Sequence, residues 1–371
     1  MESNPVYEHL GIEPLINAFG TMTHIGGSLM APEVTAAMAE ASRSFVPLRQ
    51  LQERVGERLA ELTGAEAAFI SAGAASGVML AGAACLTGTD AEAVARLPDV
   101  GTRPSEFVIS LVDDHTYIHQ SLRLIGGTLA EVGTTDTVSV DNYAAAINAY
   151  TAALVVFLGE QSRTQLGEVI ELAHAHDLPV IVDAAAQLPP RANLVEIPAM
   201  GADLVVFSGG KAIAGPQSTG LVLGRRELVE ACVLNSSPNF GAGRGMKVGK
   251  EEMVGLLRAV ELMLADDEEA RVRDWEEQCR QMMRAVGDAP GVTVDFNPPY
   301  SASFPAAAPF LRLCFGVNAP LPAAAAAEAL ERGSPPIVVG LAGDALTVCP
   351  QTLKSGEAAV VGRRLADLLN P

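Results

Sequence analysis

The stretch Asp203-Leu-Val-Val-Phe-Ser-Gly-Gly-Lys211-Ala-Ile-Ala-Gly-Pro216 decides the reading of this chain. An apolar run of strand length ends in small residues, and a single lysine follows. A second apolar run, Pro179-Val-Ile-Val-Asp183, ends in an aspartate. Short β-branched runs bounded by Gly, Ser and Pro read as strands buried on both faces. Each strand therefore delivers one charged group at its carboxyl end, Lys211 from one and Asp183 from the other.

Around this pair, apolar runs alternate with helical patterns. Strands are expected at Ala65–Ile70, Phe107–Leu111, Gly127–Val132, Ala153–Leu158 and Leu221–Leu223. Helices are expected at Pro32–Ser44, Leu48–Thr63, His119–Ile125, Asn142–Ala149, Val169–His176 and Arg226–Asn235. Such alternation predicts an α/β fold, a mostly parallel sheet flanked by helices. One long helical pattern runs over 250–286. Strands at Val292–Phe296, Phe310–Cys314, Ile337–Val339 and Ala345–Val348 follow, with helices at Pro322–Leu330 and Glu357–Leu369. Pro298–Pro309 reads as a loop. The expected organisation is an N-terminal arm (1–30), a large domain (31–249), and a linking helix with a smaller C-terminal α+β domain (250–371).

Composition excludes several classes of function. With 371 residues and 49% hydrophobic residues the chain can bury a large core. Its formal net charge of −19 disfavours phosphate backbones, so no nucleic-acid partner is expected. No apolar run is long enough to span a bilayer, so no membrane partner is expected either. Met1-Glu-Ser-Asn-Pro5 lacks a basic, apolar leader, which points to a cytoplasmic location. The five cysteines show no Cys-x-x-Cys pair and the six histidines show no metal spacing, so neither a disulfide frame nor a metal site is expected.

A lysine most often caps a surface turn. Lys211, however, lies among Gly and Ala, and a desolvated amine has a lowered pKa and is nucleophilic. An amine and an acid, each at the carboxyl end of its own strand, suit a cofactor with an aldehyde at one edge and a ring nitrogen at the other, which is pyridoxal 5'-phosphate (PLP). Lys211 would form its Schiff base and Asp183 would hold the ring nitrogen protonated.

Ser71-Ala72-Gly73-Ala74 joins a strand to a small-residue helix whose amides could receive a phosphate, with Ser208 as a second hydroxyl donor. Gln187 follows the Asp183 strand. Gln217 and Ser218 follow the lysine loop and could reach a phosphate of the same or a neighbouring subunit. His115 could stack on a cofactor ring, with Tyr117 and His119 as competitors. Asn17 and Thr21 of the arm, Arg244 and Arg312 are the substrate-binding candidates. Arg163 is a weaker one. Arg is preferred for anionic substrate groups because its planar fork matches a carboxylate.

Several segments carry a resemblance. They are Ile16-Asn-Ala-Phe-Gly-Thr21, Gly26-Gly-Ser-Leu-Met30, Leu62-Thr-Gly-Ala-Glu66, Pro179-Val-Ile-Val-Asp-Ala-Ala-Ala-Gln187, Phe207-Ser-Gly-Gly-Lys211, Gly215-Pro-Gln-Ser-Thr-Gly220 and Met246-Lys-Val-Gly-Lys-Glu-Glu252. Together they resemble fold-type I PLP enzymes. The closer resemblance is to the group holding selenocysteine synthase (L-seryl-tRNA selenium transferase) and D-glucosaminate-6-phosphate ammonia-lyase.

The resemblance implies a homodimer or larger assembly with active sites at the subunit interface. It also implies Lys211 as Schiff base, Asp183 as ring-nitrogen partner and His115 as stacking residue. Members that act on tRNA carry a further N-terminal domain, whereas this chain starts almost at the arm. Length and the Gly-Gly-Ser-Leu-Met stretch fit the ammonia-lyase branch better. Ala-Ile-Ala after Lys211 lacks the basic residue expected near a sugar phosphate.

The expected activity is a PLP-dependent lyase that performs α,β-elimination and deamination on a small amino acid or amino sugar acid. Amino transfer, β-substitution and racemisation use the same parts and are the alternatives. A catalytically silent PLP-binding scaffold is the third.

Overall fold

The computed structural model describes residues 4–112, 115–159, 163–299 and 308–370. The loop expected over Pro298–Pro309 lies almost wholly outside them. The chain forms two compact units, Leu29–Asp266 and Met1–Ser28 with Asp267–Pro371.

The larger unit is built on a seven-stranded sheet: β1 (Ala67–Ser71), β2 (Glu106–Ser110), β3 (Thr128–Val132), β4 (Thr151–Phe157), β5 (Val180–Asp183), β6 (Leu204–Ser208) and β7 (Gly220–Gly224). Across the sheet the order is β1-β7-β6-β5-β4-β2-β3. Neighbours from β6 to β3 are parallel, and β7 runs antiparallel to both β6 and β1. The expectation of a mostly parallel sheet is met.

The central strands are apolar on both faces because both faces are covered. Val180 and Val182 join Leu154, Val156, Val205 and Phe207 in one core, which takes Leu166 and Val169 from helix Arg163–Ala175 and Leu256 and Val260 from helix Lys250–Ala265. The alternate residues Ile181, Val155, Phe157, Leu204, Val206 and Val222 point the other way. There they meet Val78 and Leu80 of helix Ala74–Thr87 and Ile118 and Leu122 of helix Thr116–Leu124. The period of two, read off the sequence, becomes two separate cores.

At the amino ends of β5 and β6, buried Asp203 accepts from the Val180 amide at 2.8 Å and from Arg225 Nη1 at 2.7 Å, with His174 Nε2 at 3.0 Å. A buried carboxylate is tolerable only with such partners. The three contacts pin the two strands that carry Asp183 and Ser208 at their other ends.

The helix expected over 250–286 is two helices, Lys250–Ala265 and Glu268–Val286. Asp266 is extended, and the Asp267 carboxylate caps the second helix by accepting from the Ala270 amide at 2.9 Å. A side chain that bonds its own backbone competes with helix continuation. The compact units divide at this break, and residues 1–28 group with residues 267–371.

In the smaller unit, Gly340–Ala342, Ala345–Val348, Phe310–Phe315 and Val292–Asn297 form an antiparallel sheet in that order. Its core sets Leu311, Leu313, Leu346 and Val348 against Met282, Val361 and Leu365. Ile16–Asn17 pairs parallel with Ile337–Val338. Helices Pro5–His9, Ala91–Arg96 and Asn193–Ala199 and strand Gly340–Ala342 were not expected from the sequence.

Candidate active site

The sheet register assembles the site in two rows. In one, Asp183 pairs with Phe157 of β4 and with Val206 of β6, and Val206 pairs with Val222 of β7. Residues paired in a row share a face, so Asp183 stands between Phe157 and Val206, two members of the second core, with Val222 beyond Val206. It is 8% exposed, and its Oδ1 accepts from the Ala185 amide at 2.9 Å. In the row nearer the strand ends, Ser208 pairs with Gly220 and Gly220 pairs with Ser71. Two hydroxyl side chains thus flank a residue with no side chain.

That glycine is required by space. A Cβ on Gly220 would stand 2.5 Å from Ser71 Oγ and 2.6 Å from the Gly73 carbonyl. Gly77, one turn into helix Ala74–Thr87, is equally tight, since a Cβ there would lie 2.8 Å from both Ser71 Oγ and Val206 Cγ1. The helix therefore lies close on the sheet. Its N-cap, Gly73, has φ +84 and supplies no capping side chain. Amides at such a helix start await an anion, and the macrodipole favours one. Ser71 Oγ donates to the Gly73 carbonyl at 2.9 Å and Ser76 Oγ to the Ala72 carbonyl at 2.6 Å, which fixes the turn. Gly220→Ala is expected to displace the Ser71–Gly73 turn. It should cost about 1–3 kcal/mol, the usual range for overpacking, and weaken cofactor retention. Thermal melts and cofactor titration of the variant read both effects.

Lys211 sits in the loop between β6 and β7. The loop is closed on itself: the Gly209 amide donates to the Thr219 carbonyl at 2.8 Å, Gly215 to Gly209 at 2.8 Å and Ala214 to Lys211 at 2.9 Å. Ala214 takes the left-handed conformation with φ 55, a strained choice for a residue with a Cβ. The loop holds the lysine half-buried. Burial pushes the Lys211 amine below the ordinary lysine value, and the Asp183 carboxylate pulls it partway back. The amine and the acid therefore feel one another, and the amine is not in bulk water.

His115 is half-buried at the N-cap of helix Thr116–Leu124, and its ring lies nearly parallel to Phe157, with centroids 5.1 Å apart and an interplanar angle of 18°. Its Nδ1 is buried and has no hydrogen-bond partner among the described residues. A buried polar atom without a partner is costly unless something binds there.

Other candidates have different surroundings. Gln187, 4% exposed, donates from Nε2 to the Leu158 carbonyl and so braces the segment after Asp183. Ser218 is exposed and donates to Glu252. Gln217 is exposed. Arg244 is half-buried in the loop after helix Arg226–Asn235. The side chain of Arg163 lies outside the described residues. Asn17, Thr21 and Arg312 belong to the smaller unit. The Asn17 amide is engaged in its own turn, Oδ1 accepting from Phe19 and Gly20 and Nδ2 donating to the Gly20 carbonyl. Arg312 is exposed, paired across the sheet with Asp295.

Two residues at the strand ends were missed. Phe157 reads as core in sequence, since nothing marks an apolar residue as ring-facing. Gln52 donates from Nε2 to the Ile70 carbonyl at 3.1 Å, and its buried Oε1 has no partner among the described residues. Its position in helix Leu48–Thr63 gives no signal that it folds onto the end of β1.

These residues fit PLP. The half-buried amine, the acid in its field and the uncapped helix start over two serines suit its aldehyde, ring nitrogen and phosphate.

The family model described as SelA: L-seryl-tRNA selenium transferase matches residues 15–272. A 5'-C-glycyluridine monooxygenase-decarboxylase from Streptomyces sp is 36% identical over 379 residues, covering 98% of this chain and 92% of that protein. D-glucosaminate-6-phosphate ammonia lyase from Salmonella typhimurium is 37% identical over 263 residues, 69% of each chain. A solved structure of D-glucosaminate-6-phosphate ammonia-lyase superposes with a TM-score of 0.83 at 30% identity, covering 100% of this chain and 99% of that one. Among the described residues, no helix is long and apolar enough to cross a membrane. With the family model spanning more than half the sequence and a relative matching nearly all of it, the chain belongs to the SelA family of fold-type I enzymes, and its cofactor is pyridoxal 5'-phosphate.

Proposed function

We propose that this chain is a PLP-dependent lyase that removes a β-substituent and the amino group from a small amino acid or amino sugar acid. The observation that carries this reading is the half-buried Lys211 amine in the field of Asp183 at neighbouring strand ends. When bound, PLP links to an amine and accepts the electron pair left at the α-carbon. Lys211 would hold the cofactor through Nζ, and the same Nζ, freed when a substrate amine takes its place, would accept the α-proton. Burial favours the neutral amine this step needs. Asp183 would keep the ring nitrogen protonated. Ser71, Ser208 and the amides at the start of helix Ala74–Thr87 would hold the phosphate, and His115 would face the ring.

The ammonia lyase at 37% identity and the full-length match to a solved ammonia-lyase support elimination. A second reading rests on the relative that spans 98% of this chain, whose name is a monooxygenase-decarboxylase. In that reading the same base and acid act on an amino acid whose carboxylate is lost and whose α-carbon meets oxygen. We further infer a homo-oligomer with sites completed at the subunit interface, a reading supported by the two exposed aromatic rings Phe45 (103% exposed) and Phe240 (90%) of the larger unit, which a partner surface would cover.

Borohydride treatment of the PLP-loaded protein, followed by peptide mass mapping, is expected to place the reduced cofactor on Lys211. Attachment elsewhere, or none, removes the basis of both readings. Incubation with a panel of β-hydroxy amino acids and amino sugar acids then separates them. Keto acid and ammonia formed without oxygen uptake support elimination, whereas oxygen uptake with carbon dioxide release supports the second reading.

A further inference from the structure

Behind His115 the structure holds a run of groups that the chemistry above does not use. His115 and His119 are four residues apart at the start of helix Thr116–Leu124 and share one helical face. Both imidazoles lie parallel to the Phe157 ring, His115 with centroids at 5.1 Å and 18° between planes, His119 at 6.1 Å and 3°. Both distances fall in the range where aromatic rings attract beyond their buried area. Phe157 is 3% exposed and sits in the same row as Asp183.

His119 is 5% exposed, and its Nδ1 lies 3.1 Å from Glu131 Oε1 on β3. Arg123, one turn further along the helix, donates to the same oxygen at 2.8 Å. Contact with His119 and Arg123 holds the Glu131 carboxyl below the usual carboxylate range, so it stays charged and keeps both partners. A lone Phe at a strand end would need only apolar neighbours. Here a buried, hydrogen-bonded imidazole is stacked on it instead, and the other stacked imidazole carries the unpartnered Nδ1.

We propose that Phe157 and His119 are positioning residues that fix the plane of the His115 ring against PLP, with Glu131 and Arg123 locking His119 from behind. The proposal rests on His115 facing the cofactor, as in the function proposed above. Neither Phe157 nor His119 touches the reacting atoms. They act through His115.

The test is a double-mutant cycle read by the visible circular dichroism of the PLP-loaded enzyme and by cofactor titration. Both report the orientation and retention of the bound ring without turnover. Phe157→Leu in the parent is expected to reduce the dichroic band and weaken PLP binding by about fivefold, the size of a lost aromatic pair. Phe157→Tyr, which keeps the ring, is expected to restore both. In a His115→Ala background, Phe157→Leu is expected to change neither, because its effect passes through the missing ring. Equal effects of Phe157→Leu in both backgrounds would reduce Phe157 to core packing and overturn the proposal. A His115→Ala protein with unaltered dichroism and PLP affinity would overturn it at its root, by showing that His115 does not face the cofactor. Borohydride labelling of Lys211 is independent of that outcome, so the two failures are distinguishable. If Phe157→Leu does not fold, His119→Gln removes the second ring while leaving Glu131 a hydrogen-bond partner, and the same cycle is run with it.

Discussion

Lys211→Met is expected to abolish covalent retention of PLP and to lower turnover by about 10²–10⁴-fold, the range a positioned acid–base group supplies. The same substitution has an opposite effect on the fold. Burial lowers the amine of the folded protein below its unfolded value, so the folded state penalises the charged form. The penalty is fully present below the folded pKa and gone above the unfolded one. Stability of the cofactor-free protein should therefore rise with pH across a window that ends at the ordinary lysine value. Methionine has no charge to bury, so that rise should disappear and the variant should be the more stable protein at neutral pH. Urea unfolding of both proteins at a series of pH values reads the difference. Parallel pH dependences would mean that Lys211 is not penalised by burial.

Asp183→Asn is expected to lower turnover by about 10²–10³-fold, as when a preorganised electrostatic partner is lost, while PLP stays attached. The amide is nearly isosteric and can still accept from Ala185, so strand geometry is preserved. What disappears is the charge. A neutral partner does not hold the ring nitrogen protonated, and the electron pair from the α-carbon loses its sink. The carboxylate also raises the Lys211 amine. In the cofactor-free variant, amine-directed labelling of Lys211 should accordingly set in at lower pH than in the parent. A variant as active as the parent, with unshifted labelling, would leave Asp183 as a strand-end hydrogen-bond acceptor and nothing more.

Much of this arrangement was legible in the chain because its governing pattern is local. Val180-Ile-Val and Leu204-Val-Val-Phe are apolar at every position, which only strands covered on both faces can be. Once both are strands of one parallel sheet, Asp183 and the lysine loop must emerge at the same edge. The direction of Gly220–Gly224 was not legible, since Gly-Leu-Val-Leu-Gly reads alike either way and only its return beside β6 fixes it.

Long-range pairings were equally hidden. Nothing near Ser218 announces that its hydroxyl meets Glu252, and nothing near Gln52 announces Ile70. The break at Asp266–Asp267 had a visible cap in Asp267, but the flanking helical periodicity obscured it. His115 was visible as a polar residue after a strand, with Tyr117 and His119 as competitors. Both His115 and His119 stack on Phe157, and what separates them is the burial of His119 against Glu131, which only the fold reveals.

The segment carrying the reactive amine hangs from a single rung, because Ser208 and Gly220 face each other where it leaves and rejoins the sheet. Its internal hydrogen bonds close it, while Ile213 in the first core and the Ser218–Glu252 contact tie it to the frame. Such a segment is exchangeable as a unit when those two ties are kept. Transplanting residues 209–219 from a relative of different activity should leave the frame standing, so differences in reaction course can be traced to the loop or to its surroundings by swapping one at a time.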